Sequence, residues 1–195
     1  MRVALQNLSL YNSGILLFKW IDLPATEEEL EEAFKEIKVG SDFYDECGCP
    51  MEEFMIGDWE FENEVERELL KDYVDIYCNL EELNDRAEEV SLSDWDDDDI
   101  ENAKIIDSMI GCGIEEALED YVDRNRFTRC SIGDFIEMYV IEGMFVENWE
   151  CARDILSDVR SYMTSDDFAD FIESNYCGDY QIRIDGTDEF MCLDY

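Results

Sequence analysis

Apolar positions recur along this chain in two rhythms, and the change between them divides it. Arg2–Gln6 reads as a strand and Ile15–Leu23 as a second, strongly apolar one. The polar, turn-rich stretch Asn7–Gly14 between them reads as a loop. After Pro24-Ala25, Thr26 with Glu29 three residues on forms a capping box and opens a helix. Leu30, Phe34 and Ile37 keep helical spacing within it, and Gly40 ends it. Glu53–Trp59 (EFMIGDW) reads as a third strand. The order strand, strand, helix, strand predicts a small α+β module.

From Asn63 to Tyr162 the rhythm is helical almost throughout. Val65, Leu69, Tyr73 and Ile76 form one apolar stripe, and Leu80, Leu83, Ala87 and Val90 the next. Ser93 reads as the N-cap of a helix over Asp94–Ser108 whose buried side carries Trp95, Ile100, Ala103 and Ile106. Gly111-Cys112-Gly113 breaks it, and Ile114–Asp123 resumes with Leu118, Tyr121 and Val122. Later stripes are Ile132, Phe135, Ile136 and Tyr139, then Ala152, Leu156 and Val159. Pro24 and Pro50 are the only prolines, so none of these helices meets a breaker. Ser165 can cap a short helix carrying Phe168, Phe171 and Ile172. Tyr180–Ile184 and Phe190–Leu193 flank the turn signal Asp185-Gly186, which predicts a closing hairpin. The expected architecture is α+β: a small N-terminal three-stranded sheet plus helix, a helical middle, and a mixed C-terminal part with the hairpin. The expected modules are 1–61, mixed α/β; 62–110, acidic and helical; and 111–195, mainly helical.

Charge changes this picture most. The 195 residues hold 14 Lys/Arg against 53 Asp/Glu, a formal net charge of −39, and no histidine. At 46% hydrophobic and 13% aromatic residues, the chain carries enough apolar material to fold. Without histidine there is no Ser-His or Cys-His pair, no imidazole base and no histidine-ligated zinc. The charge argues against direct binding of nucleic acid or an anionic membrane, since both need a basic face. It favours a basic partner, approached by electrostatic steering. Self-repulsion opposes compaction, so an elongated shape that gains stability with salt is expected.

Eight cysteines stand at 47, 49, 78, 112, 130, 151, 177 and 192. The first residues lack a signal-peptide layout and no apolar run approaches the ~18 residues of a membrane span, so the chain reads as cytoplasmic with reduced thiols. Cys47-Gly48-Cys49 has no second close pair to complete a metal site. No metal and no cofactor is expected.

Residues 81–123 concentrate the charge, with seventeen acids against Arg86 and Lys104. As one continuous helix they would span roughly 65 Å, one carboxylate per ~4 Å. A DNA strand carries one phosphate per ~3.4 Å. Division into two or three helices shortens the track but keeps the density of that order. Apolar residues at helical spacing bury one side and leave the carboxylates on the other. A solvated or salt-adapted acidic face is the competing reading. Against salt adaptation, the acids are uneven: Arg124, Arg126, Arg129, Arg153 and Arg160 follow a segment almost without cations. Asp94, Asp96 and Asp98 match the first positions of an EF-hand loop, but Asp99 stands where its glycine belongs and Ile105 where its last glutamate does. No Gly-rich phosphate loop or serine nucleophile motif is present, which argues against an enzyme.

Val3-Ala4-Leu5-Gln6-Asn7-Leu8, Tyr11-Asn12-Ser13-Gly14 and Lys19-Trp20-Ile21-Asp22 resemble the start of the ArdA antirestriction proteins. Glu53–Glu60, Asn79-Leu80-Glu81-Glu82-Leu83-Asn84, Leu92-Ser93-Asp94-Trp95 and Ile114-Glu115-Glu116-Ala117-Leu118 continue that pattern in order, to about residue 145. The C-terminal fifty residues match less well: Tyr162–Phe171 stands where members carry a tyrosine-rich segment with an Arg-Asp pair, and the Arg is lost. The resemblance implies a DNA mimic of a mobile element or phage. It would act as an elongated, curved homodimer that occupies the DNA-recognition core of type I restriction–modification enzymes and excludes the duplex. On that reading Asp94, Asp96, Asp97, Asp98, Asp99, Glu101, Asp107, Glu115, Glu116, Glu119, Asp120 and Asp123 face the Lys/Arg that normally hold phosphates. Trp95 is assigned to the core. Two rival readings stay open: an inhibitor of another DNA-handling machine, such as a CRISPR effector or nucleoid protein, and an acidic structural or metal-buffering protein.

Overall fold

The computed structural model describes residues 1–141 and 149–193. The chain divides into two compact units, Met1–Ile100 and Glu101–Tyr195.

In the first unit, β1 (Arg2–Asn7) runs antiparallel between β2 (Phe18–Asp22) and β5 (Phe54–Glu60). As the central strand it is covered on both faces, and Val3 through Asn7 are all buried. The expected loop at Asn7–Gly14 instead contains a short helix, α1 (Leu8–Asn12). Asn7 makes that turn: its Oδ1 accepts the Leu10 N–H at 2.9 Å, while its Nδ2 donates to the carbonyls of Ile37 and Lys38 at 3.1 and 2.8 Å. One side chain thus caps α1 and holds the far end of α2 (Glu27–Glu36). The second strand starts later than its apolar run suggests, because Ile15 and Leu16 are 53% and 68% exposed.

The capping box of α2 is present, with the Glu29 N–H donating to Thr26 Oγ1 and the Thr26 N–H to Glu29 Oε2. The helix ends before Gly40, and the chain turns at Lys38, which has φ 59°. A two-stranded ribbon unmarked in the periodicity follows, β3 (Gly40–Tyr44) with β4 (Pro50–Met51). Next come α3 (Glu64–Leu70) and α4 (Leu80–Leu92), capped by Asn63 and Asn79. Of the stripe expected at 65–76, Val65 and Leu69 are buried, whereas Tyr73 and Ile76 lie beyond the end of α3 and are exposed. The α4 stripe is buried as expected, at Leu80, Leu83, Ala87 and Val90.

Ser93 is not the N-cap expected of it. It terminates α4, its hydroxyl donating to the Val90 carbonyl at 2.8 Å, and the following helix α5 (Asp97–Ile110) is capped by Asp96 instead. The division between the units falls within α5. Positive φ at Gly111 and Gly113 ends the helix. In the second unit α6 (Ile114–Ala117) widens into a π-helical turn over Leu118–Val122.

A strand absent from the helical reading follows, β6 (Phe127–Ser131), then α7 (Ile132–Phe135), which continues as π-helix to Ile141. After α8 (Trp149–Ser161) comes α9 (Ser165–Tyr176), capped by Thr164 instead of Ser165. Residues 142–148 and the Ala152 side chain, both within the expected helical stretch, lie outside the described residues. The expected hairpin forms from β7 (Gln181–Arg183) and β8 (Glu189–Leu193) around Gly186, at φ 73°. β6 pairs with the other edge of β8, so the hairpin becomes a three-stranded antiparallel sheet of order β6-β8-β7. Phe135 stacks on Phe190 at 4.5 Å beneath it, with Phe168, Ala169 and Ile172 of α9 in the same core.

Candidate functional site

The acidic segment is built as separate helices, each amphipathic for the same reason. Ile100, Ala103 and Ile106 recur at helical spacing, and burying them on one side of α5 leaves Asp97, Asp98 and Glu101 exposed. On α4 the buried stripe likewise leaves Glu81, Glu82, Asp85, Glu88 and Glu89 outside. These α4 acids are further exposed carboxylates of the first unit beyond the twelve sequence candidates, and the 3.6-residue period of Leu80, Leu83, Ala87 and Val90 is the signal that marks them.

The structure sorts the twelve by what their carboxylates do. Nine are exposed, while Asp99, Asp107 and Asp120 are half-buried. Four have local structural work. Asp96 Oδ1 accepts the N–H groups of Asp98 and Asp99 at 2.9 and 3.0 Å, and Asp99 Oδ2 accepts the Asp96 N–H at 3.0 Å. Asp97 Oδ1 accepts the Glu64 N–H at 3.3 Å, in the first turn of α3. Asp107 Oδ1 accepts the Gly113 N–H at 2.7 Å and closes the glycine turn. Asp97, Asp98 and Asp99 fill the first turn of α5, where the helix dipole favours negative charge.

Two more are ion-paired. Glu101 meets Arg129 Nη1 at 3.3 Å, and Asp120 meets Arg124 at 2.9 Å, one turn on. Arg129 also donates from Nε to Glu189 at 2.7 Å. That hydrogen bond foremost, then the charges of Glu189 and Glu101, holds its guanidinium pKa above the usual value despite some desolvation. Asp94, Asp98, Glu116 and Glu119 have no carboxylate hydrogen bond or ion pair among the described residues. Glu115 and Asp123 are exposed.

The local field registers on a neighbouring thiol. Burial raises the pKa of Cys112, and the charges of Glu116, Asp107 and Asp120 push it the same way. Three of the candidate acids therefore act on one point of the second unit. Trp95, assigned to the core, is half-buried in the link before α5, where it lines a shallow depression with Asn63, Val65 and Asp96–Asp98.

Among the described residues no group of three Cys, Asp or Glu is placed to hold a metal ion. The segment at Asp94–Asp98 is used as a helix cap, with Asp96 turned onto backbone N–H groups. No helix among the described residues is long and apolar enough to cross a membrane. Seven cysteines are free thiols, and Cys151 lies outside the described side chains.

A family model described as antirestriction protein (ArdA) matches residues 4–193. The match includes the C-terminal residues past 145, where the motif resemblance fades. No curated protein matches the chain.

Proposed function

The chain belongs to the ArdA antirestriction protein family, DNA mimics that inhibit type I restriction enzymes without catalysing a reaction, and on that premise we propose how this chain does so. Its acidic helices occupy the DNA-recognition core of the enzyme and exclude the duplex by competition. The observation that carries this reading is the division of labour on α4 and α5: a buried apolar stripe on one side, a row of exposed carboxylates on the other.

Asp94, Asp98, Glu116 and Glu119, without partners of their own among the described residues, are the carboxylates that meet lysine and arginine first. Asp96, Asp97, Asp99 and Asp107 hold the helices in shape, and still contribute charge. Glu101, Asp120, Glu115 and Asp123 add the charge of the second unit. An exposed ion pair contributes only about 0.2–1 kcal/mol, so affinity arises from many pairs and from steering. In this reading the mixed module 1–61, the acidic module 62–110 and the mainly helical module 111–195 divide the work. The protein acts as a homodimer in the cytoplasm, takes no cofactor, and binds no nucleic acid itself.

The experiment is competitive cleavage. Purified protein is titrated into a type I restriction enzyme with its DNA substrate, with and without excess competitor duplex. Inhibition relieved by added duplex is the expected result; full cleavage at saturating protein overturns the reading for that enzyme. Sedimentation of the free protein tests the homodimer.

A further inference from the structure

The first unit carries a second open surface, apolar where the helices are charged. Between α2, the start of β5 and the first turn of α4 lies a groove of about 640 Å³, lined by Leu30, Phe34, Phe54 and Leu80, with Glu27, Glu31 and Glu81 around it. Leu30, Phe34 and Phe54 are only half-buried, and the two phenyl rings meet at 5.0 Å with planes tilted by 55°. The walls are tied together. Asn84 of α4 accepts the Ala25 N–H at 2.7 Å and donates to the Ala25 carbonyl at 3.0 Å, which fixes the start of α2 against α4. A preformed concavity with an apolar floor loses little conformational freedom when a side chain enters it.

The rim decides what that side chain must travel with. Glu27, Glu31 and Glu81 are exposed, and the nearby Lys35 is spent on Glu31 at 3.9 Å. An anionic or bare apolar group would desolvate these carboxylates without compensation, whereas flanking cations would pair with them.

We propose that the groove takes an apolar side chain flanked by lysine or arginine, presented by the basic surface of the restriction enzyme. This rests on the competitive reading above and adds to it a contact that a phosphate backbone does not make. Carboxylate pairs weaken as salt screens them, but apolar burial does not. The groove therefore supplies the part of the affinity that survives high salt.

The test compares the intact protein, Leu30→Gln, and the double variant Glu27→Lys/Glu81→Lys, titrated against the DNA-recognition core of a type I enzyme at low and high salt. Melting curves and sedimentation of each variant accompany the titration. Leu30→Gln is expected to weaken binding by about tenfold at both salts, leaving the salt slope unchanged. The double variant, confined to exposed positions, is expected to bind more weakly chiefly at low salt. Intact-level binding by Leu30→Gln at both salts overturns the groove's role alone. A loss that follows dissociation of a homodimer identifies a second copy as the occupant and also overturns it. Failure of the intact protein to bind at any salt overturns the competitive reading, and the groove's role with it.

Discussion

Asp96 and Asp99 hold each other's backbone across the first turn of α5: the Asp99 N–H donates to Asp96 Oδ1, and the Asp96 N–H donates to Asp99 Oδ2, both at 3.0 Å. Two carboxylates from the densest run of charge thus serve as a reciprocal helix cap. Asp98, between them in sequence, is exposed and keeps its carboxylate free of partners among the described residues. Of these four consecutive acids only Asp98 has no structural work, because Asp97 accepts the Glu64 N–H.

That difference is measurable. Asp96→Ala removes the cap and is expected to lower stability by about 1 kcal/mol. Asp98→Asn is expected to stay within about 0.5 kcal/mol of the parent. Urea unfolding midpoints of the two variants distinguish them, and equal losses would contradict the assignment.

Inhibition should respond to the number of free carboxylates removed, not to any one of them. Asp98→Asn alone is expected to leave inhibition of a type I enzyme nearly unchanged. Converting Asp94, Asp98, Glu116 and Glu119 together to amides is expected to remove about 1–4 kcal/mol of binding, at about 0.2–1 kcal/mol each, and to flatten the salt dependence. Cleavage assays across a salt series provide the readout. A single amide that abolishes inhibition would replace the distributed surface with one specific polar contact.

Salt should also act on the free protein. With 53 acids against 14 cations, repulsion among carboxylates opposes folding, and screening over about 10 Å at 0.1 M relieves it. The melting temperature is expected to rise with added sodium chloride. A falling curve would mean that pairs such as Arg129–Glu101 and Arg183–Asp166 outweigh the repulsion.

The thiols divide by burial. Cys47 and Cys49 are exposed at the β3–β4 turn, while Cys130 and Cys192 are buried in the C-terminal sheet. A thiol reagent at neutral pH is expected to modify the first pair quickly and the second only after unfolding. Burial foremost pushes Cys177 to about 11 and Cys192 to about 12. Both lie above the unfolded value of about 8.5, so the native state keeps protons that the unfolded chain releases. The stability these thiols contribute is complete below about pH 8.5 and is lost as pH rises toward their folded values. Urea midpoints are expected to fall above that pH, less steeply in Cys177→Ser; a flat profile would contradict the burial.

What was legible in the chain is what neighbours along it decide. The Thr26–Glu29 box, the Leu80–Val90 stripe and the Gly186 turn each depend on residues a few positions apart, so periodicity and turn chemistry report them directly. Ser93 satisfies two local rules at once. A hydroxyl before an acidic run suits an N-cap, but the same group closes α4 by bonding back to Val90, and Asp96 takes the cap. β6 was hidden more deeply: Phe127–Ser131 has no helical breaker, and becomes a strand because β8, about sixty residues later, offers it an edge.

Sequence alone therefore determined the sign, density and helical placement of the charge, since composition and apolar period need no knowledge of distant contacts. It also carried the family motifs. Only the tertiary structure decided which acids remain free. Asp107 is engaged by a turn six residues away, Glu101 by an arginine 28 residues away, and the groove floor by residues from α2, β5 and α4. The physical reason is that a carboxylate's availability depends on which donors the folded backbone brings within reach, and those donors are set by packing between elements.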